Sequence, residues 1–167
     1  LVIENTELAD QYRAGEYEPL STEQAITYCA FLKDWFERHN IEVIRTGLQS
    51  TEELDSGNSL VAGPYEPAMG ELVVNEQYKQ RIECCINEHI ESFIDKELSQ
   101  WNIWGQANNY IALNISVFYP RSLTSKVRGL KNRNMLYFQE KYPHININWY
   151  EDSTRNTVRC CIDGLQY

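Results

Sequence analysis

Apolar residues recur at helical spacing in some stretches of this chain and at a spacing of two in others, with glycine, proline and asparagine between them. Thr6 to Tyr12 predicts a short helix followed by a polar turn at Gly15. Ser21 with Gln24 three residues on is a capping-box pattern. It opens a helix to about His39, in which Ala25 or Ile26, Cys29, Leu32, Trp35 and Phe36 form the buried stripe. Asn40 stops that helix, and His39 in its last turn suits the helix dipole better than a catalytic role. Ile41, Val43 and Ile44, interrupted by Gly47, predict a strand covered on both faces. Gly57, Gly63, Pro64, Pro67 and Gly70 then supply unusual and fixed φ values in turn, the mark of a loop with one shape. A flexible tether would be richer in Ser and Gly and poorer in Val, Tyr and Met.

A second long helix is predicted from about Asn75 to Leu98, with Tyr78, Ile82, Cys85, Ile86, Ile90, Phe93 and Ile94 or Leu98 on one stripe. Glu83, Glu88, Glu91 and Asp95 fill its solvated faces. WNIWGQANN, from Trp101 to Asn109, breaks the period and is a candidate boundary. Ile111, Leu113, Ile115 and Val117 then alternate with other residues as a strand that Pro120 ends. A short helix over Arg121 to Val127, capped by Ser122 or Thr124, precedes a break at Gly129. A longer helix from about Asn132 to Tyr142 follows, with Met135, Leu136, Phe138 and Tyr142 for a core-facing stripe and Pro143 closing it. HININWY and TVRCCID read as two strands joined by the polar turn EDSTRN, which suggests a hairpin.

With 167 residues, 43% of them hydrophobic, the chain can build a core in one or two small domains. It has no apolar run long enough to span a bilayer, so no membrane partner is expected. Five cysteines, one single and two adjacent pairs, suit reduced thiols in a cytoplasmic setting. Cys85 and His89, four apart, make a candidate metal-donor set with Cys160 and Cys161, although cysteine on a buried helix face is the commoner use. The net charge of -9 argues against bulk attraction to nucleic acid, but residues 1–100 hold 7 Lys and Arg against 20 Asp and Glu, and residues 101–167 hold 8 against 4. The last third is electrostatically a different object.

Its order of strand, short helix, glycine loop, helix and strand resembles a KH-like RNA-binding unit, and Gly129-Leu130-Lys131-Asn132 resembles the GXXG signature. A tight turn there lets backbone N–H groups and a helix N-terminus approach a phosphate. Asn132 replaces the second glycine, and Asn tolerates positive φ better than most residues. Arg121, Lys126, Arg128, Lys131, Arg133 and Lys141 face Glu140 alone in this stretch. The candidate RNA-binding residues are therefore Lys126, Arg128, Gly129, Lys131, Asn132 and Arg133, with Tyr119 or Tyr137 available to stack a base if exposed. The competing reading is a helical hairpin whose solvent face is basic.

VIRTGLQSTEEL followed by VAGPYEPAMGELV resembles the C-terminal region of bacterial radical S-adenosylmethionine (SAM) proteins related to the Elongator catalytic subunit and to the anaerobic coproporphyrinogen oxidase-like group. NTELADQYRAGEYEPLS looks like the segment that follows a late barrel strand in those proteins. The resemblance covers roughly the first 75 residues. It implies that residues 1–74 are the terminal αβ element of a radical SAM, partial TIM-like barrel with its Gly/Pro-rich loop; with 75–167 as a helix plus the KH-like unit with a three-stranded sheet, the chain reads as α+β. It implies SAM and a 4Fe-4S cluster in the full-length parent, with Arg45, Thr46 and Gln49 lining the SAM side. Arg45 has an alternative use in pairing with Glu42 or Glu52. The cluster's CxxxCxxC run is absent from this sequence. A chain that starts at Leu1 within barrel-like sequence thus reads as a C-terminal piece, inactive alone, whose partners are the N-terminal radical SAM part and tRNA or another RNA. An alternative is a non-catalytic packing or subunit-interaction module that self-associates through exposed barrel surface. The sequence contains neither GxGxxG nor GxxxxGK(S/T), and no signature surrounds a Cys/His nucleophilic pair.

Overall fold

The capping box at Ser21 forms as its residues require: Ser21 N–H donates to Gln24 Oε1 at 2.9 Å and Gln24 N–H to Ser21 Oγ at 3.1 Å. A computed structural model describes residues 1–101 and 113–163 of the chain. They divide into two units, Leu1–Gln77 and Tyr78–Tyr167. The expected break over Trp101 to Asn109 lies, from residue 102 on, outside the described residues.

In the first unit, β1 (Val2–Ile3) leads to α1 (Glu7–Arg13), α2 (Thr22–Arg38), α3 (Glu52–Asp55) and β2 (Leu60–Ala62). β1 and β2 pair antiparallel, and Val2 of β1 is fully buried. Thr6 Oγ1 accepts from Ala9 N–H at 3.2 Å to start α1, and Thr51 Oγ1 accepts from Leu54 N–H at 3.3 Å to start α3. Asn40, at φ 58°, turns the chain out of α2.

α4 (Met69–Trp101) starts six residues earlier than the expected Asn75. Its first turns bury Met69, Leu72 and Val73 with Ile26 and Ala30 of α2. The chain at Gly47, with φ 83°, passes so close to this start that a Cβ would lie 2.9 Å from Met69 Cβ. The expected Ile41–Ile44 strand does not form, and Ile44 is 91% exposed. Among the described residues this extended run has no neighbour to complete a ladder, and a strand exists only as one partner of a pair.

In the second unit β3 (Leu113–Tyr119), α5 (Thr124–Arg128), α6 (Arg133–Lys141), β4 (Ile145–Glu151) and β5 (Arg159–Asp163) follow α4. The sheet order is β4-β3-β5, with β4 parallel and β5 antiparallel to β3. β4 and β5 are therefore not the expected hairpin. The α5–α6 crossover forces β4 to run parallel to β3, and the chain then passes the end of β3, where Asp152 N–H donates to Tyr119 O at 2.8 Å, to reach the opposite edge. Ile82 and Ile86 of α4, Ile115 and Val117 of β3, Val127 of α5 and Phe138 of α6 form the core. Each fully buried aliphatic or aromatic side chain contributes about 1.5–3 kcal/mol. Leu136, expected inside, is 55% exposed.

Candidate functional site

Between α5 and α6 the backbone makes a turn of unusual geometry. Gly129 has φ 73° and ψ 165°, a region essentially reserved for glycine, and its N–H donates to Ser125 O at 2.8 Å. Lys131 (φ 53°) and Asn132 (φ 61°) are both left-handed, and Asn132 N–H donates back to Gly129 O at 3.0 Å. Buried Asn134 braces the turn from beneath, its Nδ2 donating to Val127 O at 3.2 Å and Lys126 O at 3.3 Å. Asn134 carries no charge and lies outside the GXXG-like stretch, so sequence reading missed it. Its only signal was an asparagine at an otherwise helical position.

The turn leaves Lys126, Arg128, Lys131, Asn132 and Arg133 exposed and Gly129 buried. Asn132 caps α6 without a side-chain hydrogen bond, so the first-turn N–H groups of the nine-residue helix are not taken up by a side-chain cap. The N–H groups of Asn132 and Arg133 are spent within the turn, on Gly129 O and Leu130 O, so it is the positive helix end and the surrounding cations that favour a phosphate oxygen. Lys141 belongs elsewhere: its ammonium is held by Glu83 and by Tyr137 Oη, and Glu83 pushes its pKa up. Neither expected stacking residue is available. Tyr119 is buried in the core, and Tyr137 is half-buried and donates its hydroxyl to Glu83 at 3.0 Å.

A groove of about 740 Å³ runs from this turn between α6 and β4. Arg128 and Asn132 stand at its turn end, Met135 and Gln139 line the α6 wall, and Asn146 and Asn148 come from β4. Asn146 Nδ2 donates to Asn114 Oδ1 at 3.0 Å. As an edge strand among the described residues, β4 also offers backbone N–H and C=O groups. Amide side chains beside a free strand edge supply donors and acceptors of the kind that nucleobase edges require.

The first unit has a different surface. α2 buries Ala25, Ile26 and Ala30, while Tyr28, Phe31, Leu32 and Trp35 form a second apolar stripe that is exposed. Leu32 and Trp35, expected in the core, thus belong to the outward face, because small alanines let α2 pack closely on one side only. Arg45 Nη1 donates to Gln49 Oε1 at 3.3 Å, in place of the Glu42 or Glu52 pairing, and Thr46 is half-buried nearby in the chain. Among the described residues no three His, Cys, Asp or Glu side chains gather as metal donors. The described residues do not fit a 4Fe-4S cluster, which needs three convergent thiolates.

Residues 1–80 match the family model described as the Radical_SAM C-terminal domain. The stretch is thereby similar to the C-terminal region of radical SAM proteins, in agreement with the resemblance carried by its Gly/Pro-rich loop. No curated protein and no solved structure matches the chain.

Proposed function

We propose that this chain is the C-terminal part of a radical SAM iron–sulfur enzyme, related to the Elongator and coproporphyrinogen oxidase-like group, in which the second unit holds an RNA substrate, plausibly tRNA by that analogy. The observation that carries the RNA reading is the turn around Gly129–Arg133, where exposed cations surround a turn whose Arg128 and Asn132 reach the α6–β4 groove. The order β3, α5, turn, α6 and β4 is what supports reading the second unit as KH-like. Phosphates sit at the turn, and bases lie along β4.

The first unit completes the barrel. The exposed α2 stripe of Tyr28, Phe31, Leu32 and Trp35, together with exposed Ile41 and Ile44, gives an apolar face for the N-terminal radical SAM part to cover. There the Ile41–Ile44 run gains a strand neighbour, and Arg45, Thr46 and Gln49 at its end line the SAM side. Radical chemistry belongs to the N-terminal part, which supplies the cluster ligands. The same apolar face favours a second reading, a packing module that self-associates.

Single-stranded RNA binding measured against salt tests the RNA role. Four phosphate contacts predict a log-log slope of about -3. An absence of binding at low salt overturns the proposal. Sedimentation across concentration tests the second reading, which requires dimers or larger species.

A further inference from the structure

Alternation along the second unit's sheet puts Ile115 and Val117 of β3, Ile147 and Trp149 of β4 and Cys160 of β5 against the core, so the residues between them belong to the other face. The register sets those residues in rows. Asn146 lies beside Asn114, Asn148 beside Ser116, and Tyr150 beside Phe118, which has Arg159 on its other flank. The last row carries a column of stacked groups. The Phe118 and Tyr150 rings are stacked with centroids 5.2 Å apart at 22°, and the Arg155 guanidinium lies over the Phe118 ring, 5.3 Å from its centroid. Asp152 fixes that guanidinium, accepting from Arg155 Nε at 2.7 Å.

Tyr150 is the exposed member of the column. It stands on β4, an edge strand among the described residues, and is 46% exposed, whereas Phe118 is half-buried. The α6–β4 groove reaches this face, because Asn114 and Asn146 line it together with α6 side chains. From Asn146 to Tyr150 is four residues of strand, about 13 Å. The surface suits a nucleic acid better than a protein. Amides and an aromatic pair occupy the rows, Arg159 is exposed beside them, and no Val, Ile or Leu stands at these positions to give a protein partner an aliphatic core.

We propose that Tyr150 is a stacking site for one nucleobase of single-stranded RNA, reached when a strand held at the Gly129–Arg133 turn runs along the groove and over the edge of β4. This inference rests on the RNA reading above and adds to it a contact made by a π-face rather than by charge. Phe118 and Arg155 hold the tyrosine ring in place before the ligand arrives, so little side-chain freedom is lost on binding. A base on the exposed side of Tyr150 extends the column by one ring. Asn146 and Asn148 offer donors and acceptors to the bases that precede it.

The test measures binding of an RNA octamer of adenylates against salt for the full chain and for variants at Tyr150. Tyr150→Ala should weaken binding about 5- to 100-fold, the equivalent of one lost base stack, and leave the log-log salt slope at the wild-type value, since no charge is removed. Tyr150→Phe keeps the ring and should bind within about twofold of wild type. An octamer carrying 5-iodouridine should photocrosslink to Tyr150 of the wild-type chain. If the wild type binds RNA with its salt slope and Tyr150→Ala binds equally well, the stacking site is overturned and the RNA role stands. If neither binds at low salt, both fall. Crosslinks confined to other residues overturn the site even if Tyr150→Ala fails to fold. Loss of self-association in Tyr150→Ala with RNA affinity unchanged assigns the face to a protein contact, which overturns it equally.

Discussion

The Asn134 side chain occupies the space that a Cβ on Gly129 would need: that atom would come within 2.9 Å of Asn134 Cγ and Oδ1. The two residues therefore depend on each other. Gly129→Ala adds strain at a glycine-only φ/ψ pair and collides with the brace, for an expected cost of about 1–3 kcal/mol. Asn134→Ala strips the amide from the carbonyls of Lys126 and Val127 and should cost a similar amount. Urea unfolding of both variants checks this, and wild-type midpoints for either would show that the brace is unimportant.

The proposed phosphate contacts at the Gly129–Arg133 turn can be tested through charge. Lys131→Glu with Arg133→Glu should flatten the salt dependence of RNA binding by about 1.4 on the log-log plot, at about 0.7 per lost contact to a single strand. Lys141→Ala, which removes a cation already committed to Glu83, should leave the slope within error of wild type. A slope equally changed by all three substitutions would point to diffuse attraction.

The two faces of α2 should respond in opposite ways. Ile26→Ala removes a buried side chain and should cost about 2–5 kcal/mol. Phe31→Ser and Leu32→Ser on the exposed stripe should shift stability by only about 0.5 kcal/mol. On the proposed function they should nonetheless weaken association with the N-terminal radical SAM part it invokes, read by co-purification of the two pieces. If the stripe variants unfold the chain, the face is already covered within it.

Acid sensitivity should report on the loop before β2. Hydrogen bonds from Ser50 first and Tyr65 second, the latter at 2.5 Å, hold the Asp55 carboxyl below its ordinary pKa. A carboxylate depressed in the folded state contributes stability that is complete above the unfolded value, about 3.9, and is lost as pH falls through the folded one. Asp55→Asn should therefore flatten the loss of stability below about pH 4, measured by denaturant titration. Superimposable acid limbs for variant and wild type would contradict the hydrogen-bonded arrangement.

Local chemistry was legible in this chain, and long-range pairing was not. Ser21 and Gln24 announced α2 because a capping box is complete within four residues. Gly129 announced the turn before α6 for the same reason. The Ile41–Ile44 run misled, because β-branched residues state a preference for strand without naming a partner. β1 and β2 were missed because two or three residues carry no period. Met69 was assigned to the loop because Gly70 and Pro67 outweighed the Met69, Leu72 and Val73 spacing that buries α4 on α2. At the candidate site the cations were visible as composition. The groove was not, since Asn146 and Asn148 line it only through the crossover that lays β4 beside β3.

That placement of β4 carries a hazard. An uncovered strand border can be extended by a stray polypeptide as readily as it can be read by a nucleic acid, and the second event would prevent the first. The groove's occupant would thus double as a guard against aggregation, so the molecule should keep better in storage with its ligand than without.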